Sequence, residues 1–446
     1  MSQDDPQRSL PADDALRTEL HNELHARPPA RVRLPAMVVS VAVLNEGVTR
    51  TAECEHLRRL PGQSALDLDR LRGQFLRLRF DNNTLKWERH SEFTRYSIAQ
   101  LPPSAAELGA RDPELLSGLV TPPHWLQAIP GRTVAAILLV MLQSELPELQ
   151  SESHQRLMAD AQQWFGGQPI VASQIGGGYA WAFTDFALRQ TGFEHMLVIT
   201  PPGTGELRAG RISQRLLELE TYRMMALRGL PMAKAMAPTL SAAETQLAAI
   251  TARIENRSHS ERALLDELVN LSASVERATA ESVYRFAATR AYESIVWQRQ
   301  AELREQLITG TPLLGGFVRR RMAPAMATVA STAERLSNLS ERVARASALL
   351  RTRVDIETEA QNRELLEKLT RGQALQLQLQ TTVEGLSIAA ISYYVVSLLL
   401  YALKAGKAAG LVPFQPEAGA GAAIPLVLWG AWRTVKHIRA RLSGGH

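Results

Sequence analysis

The sequence predicts an α+β N-terminal domain, then long stalk or coiled-coil-like helices, then a C-terminal two-helix transmembrane hairpin. Three observations predict it. Short β-branched and aromatic runs, separated by turn residues, fill the first 204 positions. From Gly205 onward the apolar residues follow a helical period with few breakers. Finally, Gly385 to Leu403, GLSIAAISYYVVSLLLYAL, carries no charge, and a helix rising ~1.5 Å per residue needs about 20 residues to cross a bilayer's hydrocarbon. The expected regions are 1–204, an α+β cytoplasmic domain; 205–384, long helices; and 385–446, the hairpin with a basic tail.

In the first region, AMVVSVAVL, ending at Leu44, is β-branched and apolar and predicts a buried strand. FLRLRF, Phe75 to Phe80, alternates apolar residues with Arg and predicts a half-exposed strand. Asp81, Asn82 and Asn83 turn the chain, and Leu85 to His90 returns as the second arm of a hairpin. Thr133 to Leu142 predicts another buried strand, and a helix ends near Phe165 at Gly166 and Gly167. Ile170 to Ile175 and Tyr179 to Phe186 flank three glycines as a second hairpin, and Phe193 to Thr200 is the last strand. Two strand-and-hairpin sets in succession suggest a duplicated α+β domain without a clean sequence repeat.

In the second region, Leu216, Leu219, Met224 and Leu227 share one broad helical face, and Gly229 with Pro231 predicts a break. Further helices are expected from about Leu240 to Arg257, from about Ser260 to Leu307, and from about Pro324 to Leu403. In the last, Leu336, Val343 and Leu350 are seven apart, as are Leu339 and Ala346, a coiled-coil-like seam. Tyr284, Phe286, Tyr292 and Trp297 read as core aromatics. Arg319, Arg320 and Arg321 read as solvated helix start, or as a contact for an acidic partner or anionic lipid.

Composition narrows the function classes. Net charge is +5 over 446 residues. Arg supplies nearly all of the positive charge and is interleaved with Glu and Asp along helices, which describes solvated helix surface and excludes a nucleic-acid partner. Cys54 is the sole cysteine, so an intrachain disulfide is excluded and a reducing compartment fits. The start, MSQDDPQRSLPADDAL, has no basic n-region or apolar core and is not expected to be a signal peptide.

Two motifs invite chemistry. HNELH places His21 and His25 four apart on one helix face, the zinc-protease spacing. Asn22, however, stands where that pattern needs Glu, and Leu24 stands where the inverted pattern needs it. These two are the weak metal candidates. PPGTGE, Pro201 to Glu206, resembles a phosphate loop between strand and helix, but Glu206 and Leu207 replace the required Lys and hydroxyl. A carboxylate there repels phosphate and suits a helix N-terminus. No catalytic residue, cofactor or enzymatic activity is expected.

The membrane region carries one further pattern. Gln373, Gln380, Ser387, Tyr394 and Tyr401 recur every seven residues, a polar face continuing into the span. Such a stripe packs between helices or, in a homo-oligomer, lines a pore; Gln380, Ser387, Tyr394 and Tyr401 are the pore-facing candidates. After Lys404 and Lys407 a Gly-, Ala- and Pro-rich loop leads to a second, shorter span, Ala418 to Trp432, with Trp429 and Trp432 at its end. Arg433, Lys436, Arg439 and Arg441 then outnumber the loop's lysines, which keeps the C-terminus cytoplasmic and, with two spans, the N-terminus too. The expected location is the bacterial inner membrane, and the expected partners are the lipid bilayer and further copies of the same chain in a homo-oligomer.

Five stretches carry a resemblance: LHNELHARP at Leu20 to Pro28, LLELETYRMMAL at Leu216 to Leu227, YRFAATRAYESIVWQR at Tyr284 to Arg299, LLRTRVDIETEAQNRELL at Leu349 to Leu366, and LQTTVEGLSIAAISYYVVSLL at Leu379 to Leu399. With these the chain resembles a bacterial family of membrane-anchored proteins defined only as a domain of unknown function. The resemblance implies a membrane anchor and brings no catalytic residues. The order of α/β domain, stalk helix, span, short loop, span and basic tail is also similar to CorA-type magnesium channels. Their Gly-Met-Asn loop signature is absent; Ala405, Gly406 and Lys407 follow the first span instead, and two lysines there repel divalent cations. The expected function is thus a membrane-anchored assembly or partner-binding protein, with a CorA-like channel or transporter as the alternative.

Overall fold

The computed structural model describes residues 14–17, 20–21, 31–256, 261–409, 413 and 415–443, with side chains placed through residue 437. The chain divides into two compact units, Met1–Arg253 with Glu267–Arg345, and Ile254–Asp266 with Ala346–His446.

The first unit is built on one nine-stranded sheet. Its strands are β1 (Ala36–Leu44), β2 (Phe75–Phe80), β3 (Asn83–Arg89), β4 (Phe93–Gln100), β5 (Arg132–Gln143), β6 (Val171–Ile175), β7 (Ala180–Leu188), β8 (Glu194–Thr200) and β9 (Gln306–Leu307), in the order β2-β3-β4-β1-β5-β8-β7-β6-β9. β5 and β8 are parallel, and every other neighbouring pair is antiparallel. The helices are α1 (Arg50–Arg58), α2 (Glu152–Trp164), α3 (Glu206–Leu227), α4 (Gly229–Glu255), α5 (Glu261–Leu303), α6 (Leu314–Ala408) and α7 (Pro416–Ser443).

The expected duplication is present in strand order only. Each half runs strand, helix, three-strand meander, and the two first strands, β1 and β5, meet at the centre. The halves differ in sense: β1 is antiparallel to β4, whereas β5 is parallel to β8. The cause is the first connection. After α1 the chain passes through a 3-10 turn at Leu68–Leu71 before β2, and β2 enters opposite to β1, whereas β6 re-enters in the sense of β5.

Both sheet faces are covered. Side chains alternate across a strand, so Val39, Val41, Trp87, Tyr96, Leu138 and Trp181 point to one face, where α1 and α2 add Leu57, Leu157 and Trp164. Val38, Ala42, Ile137, Leu139 and Val198 point to the other, where α3 adds Ile212, Leu216 and Met225 and α5 adds Tyr292 and Val296. α1 is tied to the sheet by a buried carboxylate: Glu53 accepts from Arg89 Nη1 at 2.6 Å and from Thr94 Oγ1 at 2.7 Å.

Helix boundaries depart from the sequence expectation in three places. A new helix begins at Gly229, not at Leu240, because Pro231 falls in its first turn, where no intrahelical N–H bond is lost. The helix expected to run to Leu307 stops at Leu303, and Gln306 and Leu307 add an edge strand to β6. The next helix starts at Leu314 and runs through Pro324, which sits inside it. Leu314, Val318 and Met322 are buried against the sheet, and that packing holds the turn before the proline helical. Of the seam residues, Leu336, Leu339, Val343 and Leu350 are buried and Ala346 is half-buried.

Gly131 opens β5 at φ +121, and a Cβ there would stand 2.4 Å from the Leu44 carbonyl oxygen. Gly131→Ala is therefore expected to cost about 1–3 kcal/mol. A drop of several degrees in the unfolding temperature would show it, and an unchanged midpoint would argue against the strained turn.

In the second unit, residues 351–384 of α6 are exposed almost throughout, and Leu365, Leu369, Leu379 and Val383 stand in solvent. Lys404 of α6 and Glu417 of α7 approach to 3.5 Å.

Candidate functional site: a basic chamber between helix α3 and the sheet

β3 and β4 are polar on the face that α3 covers. Leu85 and Trp87 of β3, with Tyr96 and Ile98 of β4, fill the opposite core. Alternation then turns Thr84, Lys86 and Glu88, and Arg95, Ser97 and Ala99, toward α3. Strand register aligns them in rows: Arg77 opposite Lys86 opposite Ser97, and Glu88 opposite Arg95. A small cavity of about 40 Å³ opens here, lined by Arg31, Arg77, Lys86, Arg95 and Glu88, with Thr84, Ser97 and Ser213 as hydroxyls and Val38, Ala99 and Leu217 as its apolar wall.

An ion network holds the lining. Lys86 Nζ meets Glu88 Oε1 at 2.8 Å, and Arg95 Nε donates to Glu88 Oε2 at 2.9 Å. Arg95 also reaches Glu218 of α3 at 3.5 Å. Glu218 accepts from Gln214 at 2.7 Å and pairs with Arg299 of α5 at 2.6 Å. Burial pushes the Glu88 carboxyl up, but Arg95 and Lys86 outweigh it and hold it at about 2. Burial pushes the Lys86 ammonium down, opposed by Glu88. The arrangement lines a small, partly open space with ion-paired charges and hydroxyl groups.

A second charged constellation lies at the β7 bulge, between Thr184 and Leu188. Arg223 of α3 clamps Glu220 through Nε at 2.8 Å and reaches Glu194 at 3.4 Å. Phe186, at φ +49, stacks on Phe317 at 4.8 Å, and the Arg321 guanidinium lies 3.5 Å above the Phe317 ring. Burial first, and then the Glu220 carboxylate, push the Glu194 carboxyl up to about 8 from 4.5. The folded state thus keeps a proton that the unfolded chain has released, and stability falls as pH rises from about 4.5 to about 8. Glu194→Gln is expected to flatten that slope and, above pH ~8, to stabilise by on the order of 1–3 kcal/mol. Unfolding midpoints across this pH range would check it; parallel wild-type and variant curves would contradict it.

Of the candidates read from the sequence, His21 is helical, and His25 lies outside the described residues. Among the described residues no three His, Cys, Asp or Glu side chains converge as a metal site would need. The PPGTGE segment is a turn closed by Thr204 Oγ1 donating to the Pro201 carbonyl at 2.6 Å, and α3 begins at Glu206. On the polar stripe, Ser387 Oγ donates to the Val383 carbonyl at 2.8 Å, and Gln380 donates to Glu384 at 3.4 Å. Tyr394 and Tyr401 are exposed. Arg319 of the arginine run lies 5.4 Å above the Trp297 ring.

Sequence reading missed Arg31, Arg77, Lys86, Glu88 and Arg95 as a group. The signal was there: polar residues at every second position of β2 and β3, and Arg95 with Ser97 in β4. FLRLRF reads as a half-exposed strand, as its alternating burial shows, but the sequence does not place α3 over the row that Arg77 shares with Lys86 and Ser97. Two of the stretches behind the family resemblance meet in this unit. Tyr222 and Tyr292 stack at 5.9 Å, Thr289 donates to the Ala226 carbonyl at 3.1 Å, and Glu218 pairs with Arg299.

No curated protein and no solved structure matches the chain, so the likeness to CorA-type channels stands without support. One family profile does match, over residues 12–442, nearly the whole length. The chain therefore belongs to the DUF3422 family, described as proteins of unknown function.

Proposed function

We propose that this is a two-pass protein of the bacterial inner membrane whose cytoplasmic sheet-and-helix domain serves assembly or partner binding, with both termini in the cytoplasm. One observation carries the reading: α6 contains a stretch long and apolar enough to cross a membrane, and almost none of it is buried within the protein. Leu386, Ile391, Val395 and Leu398 are all exposed. At ~1.5–3 kcal/mol for each such side chain, moving them from water into hydrocarbon would stabilise by about 6–12 kcal/mol, the scale of a whole domain's stability. The second span is supported by the end of α7. There Arg433 lies 5.1 Å from the Trp429 ring and Lys436 lies 4.8 Å from that of Trp432, an aromatic and basic border of the kind found at membrane interfaces.

A second reading, an oligomeric channel of CorA-like build, is favoured by the exposure of Tyr394 and Tyr401 on the polar stripe. Against it, Ser387 and Gln380 bond within their own helix. Native mass spectrometry of the detergent-purified protein separates the two. A closed ring of several protomers would favour the channel. A monomer or dimer leaves the anchored partner-binding reading and removes a pore built from α6.

A further inference from the structure

We propose that the stretch of α6 from Asn362 to Leu386 pairs with the same stretch of a second copy of this chain, as a parallel two-stranded coiled coil. The parallel sense rests on the anchored reading above; the apolar seam does not. Three observations carry the pairing.

First, α6 changes its apolar face where its own partners end. Its seam is buried as far as Leu350, and Arg353 still donates to the Ile254 carbonyl at 3.1 Å. From Asp355 to Val383 every residue is exposed. Continued in steps of seven, the row of Leu336, Val343 and Leu350 would meet Glu357, Glu364 and Arg371. A new seam runs instead two positions earlier, about 200° around the helix. Asn362, Leu369, Gln376 and Val383 form one of its rows, and Leu365, Gly372, Leu379 and Leu386 form the other.

Second, the charges avoid this seam. Arg363, Glu364, Glu367, Lys368, Arg371 and Glu384 all fall outside both rows. Of the leucines in the stretch, only Leu377 lies away from the seam and the positions flanking it. Leu365, Leu369, Leu379, Val383 and Leu386 are between 59% and 74% exposed. Apolar rows sustained over three heptads are what helices bury against one another.

Third, the seam suits a copy of itself. Flanking charges select between unlike helices. Lys368 is the sole charged residue at the flanking positions from Asn362 to Leu386, and Glu364 of its own helix holds it at 2.8 Å. In a parallel, in-register pair Asn362 meets its own counterpart, and Asn in that row fixes register and strand number. Copies inserted in one membrane in the same sense present the stretch side by side at one depth, which raises its effective concentration.

Disulfide cross-linking of the full-length protein in its membranes tests this. Cys54 is buried and gives little background. Single cysteines replace Leu365 or Leu379 in the seam, and Glu367 or Ala374 away from it; all four positions are exposed. The expected result is several-fold more covalent dimer from Leu365→Cys and Leu379→Cys than from Glu367→Cys and Ala374→Cys. Adding Leu369→Asp to Leu365→Cys is expected to remove most of that product, because it puts two carboxylates into the seam. An antiparallel pair would set Leu365 about 27 Å from its counterpart at ~1.5 Å per residue, so it would not cross-link there. Equal yields at all four positions, higher yields at Glu367 or Ala374, or none would overturn the pairing. Native mass spectrometry is expected to give a dimer, and a larger ring would overturn the two-stranded form. An alkaline carbonate wash of the same membranes reads anchoring separately. Protein that stays in the pellet without cross-linking keeps the anchor and overturns the pairing. Protein that is released yet cross-links in the seam loses the anchor and keeps the pairing.

Discussion

Replacing Arg95 with methionine is expected to destabilise the sheet domain by about 3 kcal/mol, the lower end of what removing one partner from a buried ion pair costs. Arg95 is 3% exposed and holds Glu88 on one side and Glu218 on the other. Without it both carboxylates stay buried, but neither is abandoned: Lys86 remains on Glu88 and Arg299 on Glu218. That residual pairing sets the lower end of the range. Arg95→Lys keeps the charge but loses the planar fork that serves two carboxylates, so its loss should be intermediate. Denaturant unfolding of the two variants would check the ranking. A loss under about 1 kcal/mol for Arg95→Met, the size of a surface ion pair, would mean that the network is solvated.

Ending the chain at Glu384 is expected to move the protein from the membrane pellet to the soluble fraction. The truncation removes the uncharged stretch and α7 but leaves the whole first compact unit. Full-length protein should stay in the pellet through an alkaline carbonate wash, because hydrocarbon burial is insensitive to pH and salt whereas peripheral electrostatic binding is not. A full-length protein released by the wash would remove the anchor. A truncated protein that stays in the pellet would place the membrane contact elsewhere.

How much of this was legible depended on which partners an element has. β1 and β5 are apolar on both faces, so AMVVSVAVL and the run from Thr133 to Leu142 announced buried strands without help. The β6–β7 hairpin was legible from Gly176, Gly177 and Gly178, all at positive φ. α1 was not, because RTAECEHLR carries charge around a thin apolar face of Cys54 and Leu57, and its anchor is a buried Glu53 that composition counts as surface. β4 was missed for a related reason: Arg95 and Ser97 interrupt its hydrophobicity, yet both are covered by α3. The same blindness hid the chamber. FLRLRF reads as a half-exposed strand, and only the path of α3 over the sheet shows that Arg77 lines a cavity. The start of α6 was placed ten residues late because Pro324 is a strong local signal for a helix start, and core packing of Val318 and Met322 overrides it. Local chemistry reveals an element when its own residues decide its fate. It fails where a distant helix covers a charged face.

The central claim is that α6 crosses a membrane from a cytoplasmic domain, and cysteine labelling in intact cells tests it most directly. Cys54 is the sole cysteine and is 1% exposed, so it gives little background. A cysteine at exposed Lys407, just past the apolar stretch, is compared with one at exposed Arg72 in the sheet domain. A membrane-impermeant maleimide should label the Lys407→Cys protein in intact cells with only the outer membrane opened, and the Arg72→Cys protein only after lysis. Labelling of both in intact cells would put the sheet domain outside the cytoplasm. Labelling of both only after lysis would mean that α6 does not cross.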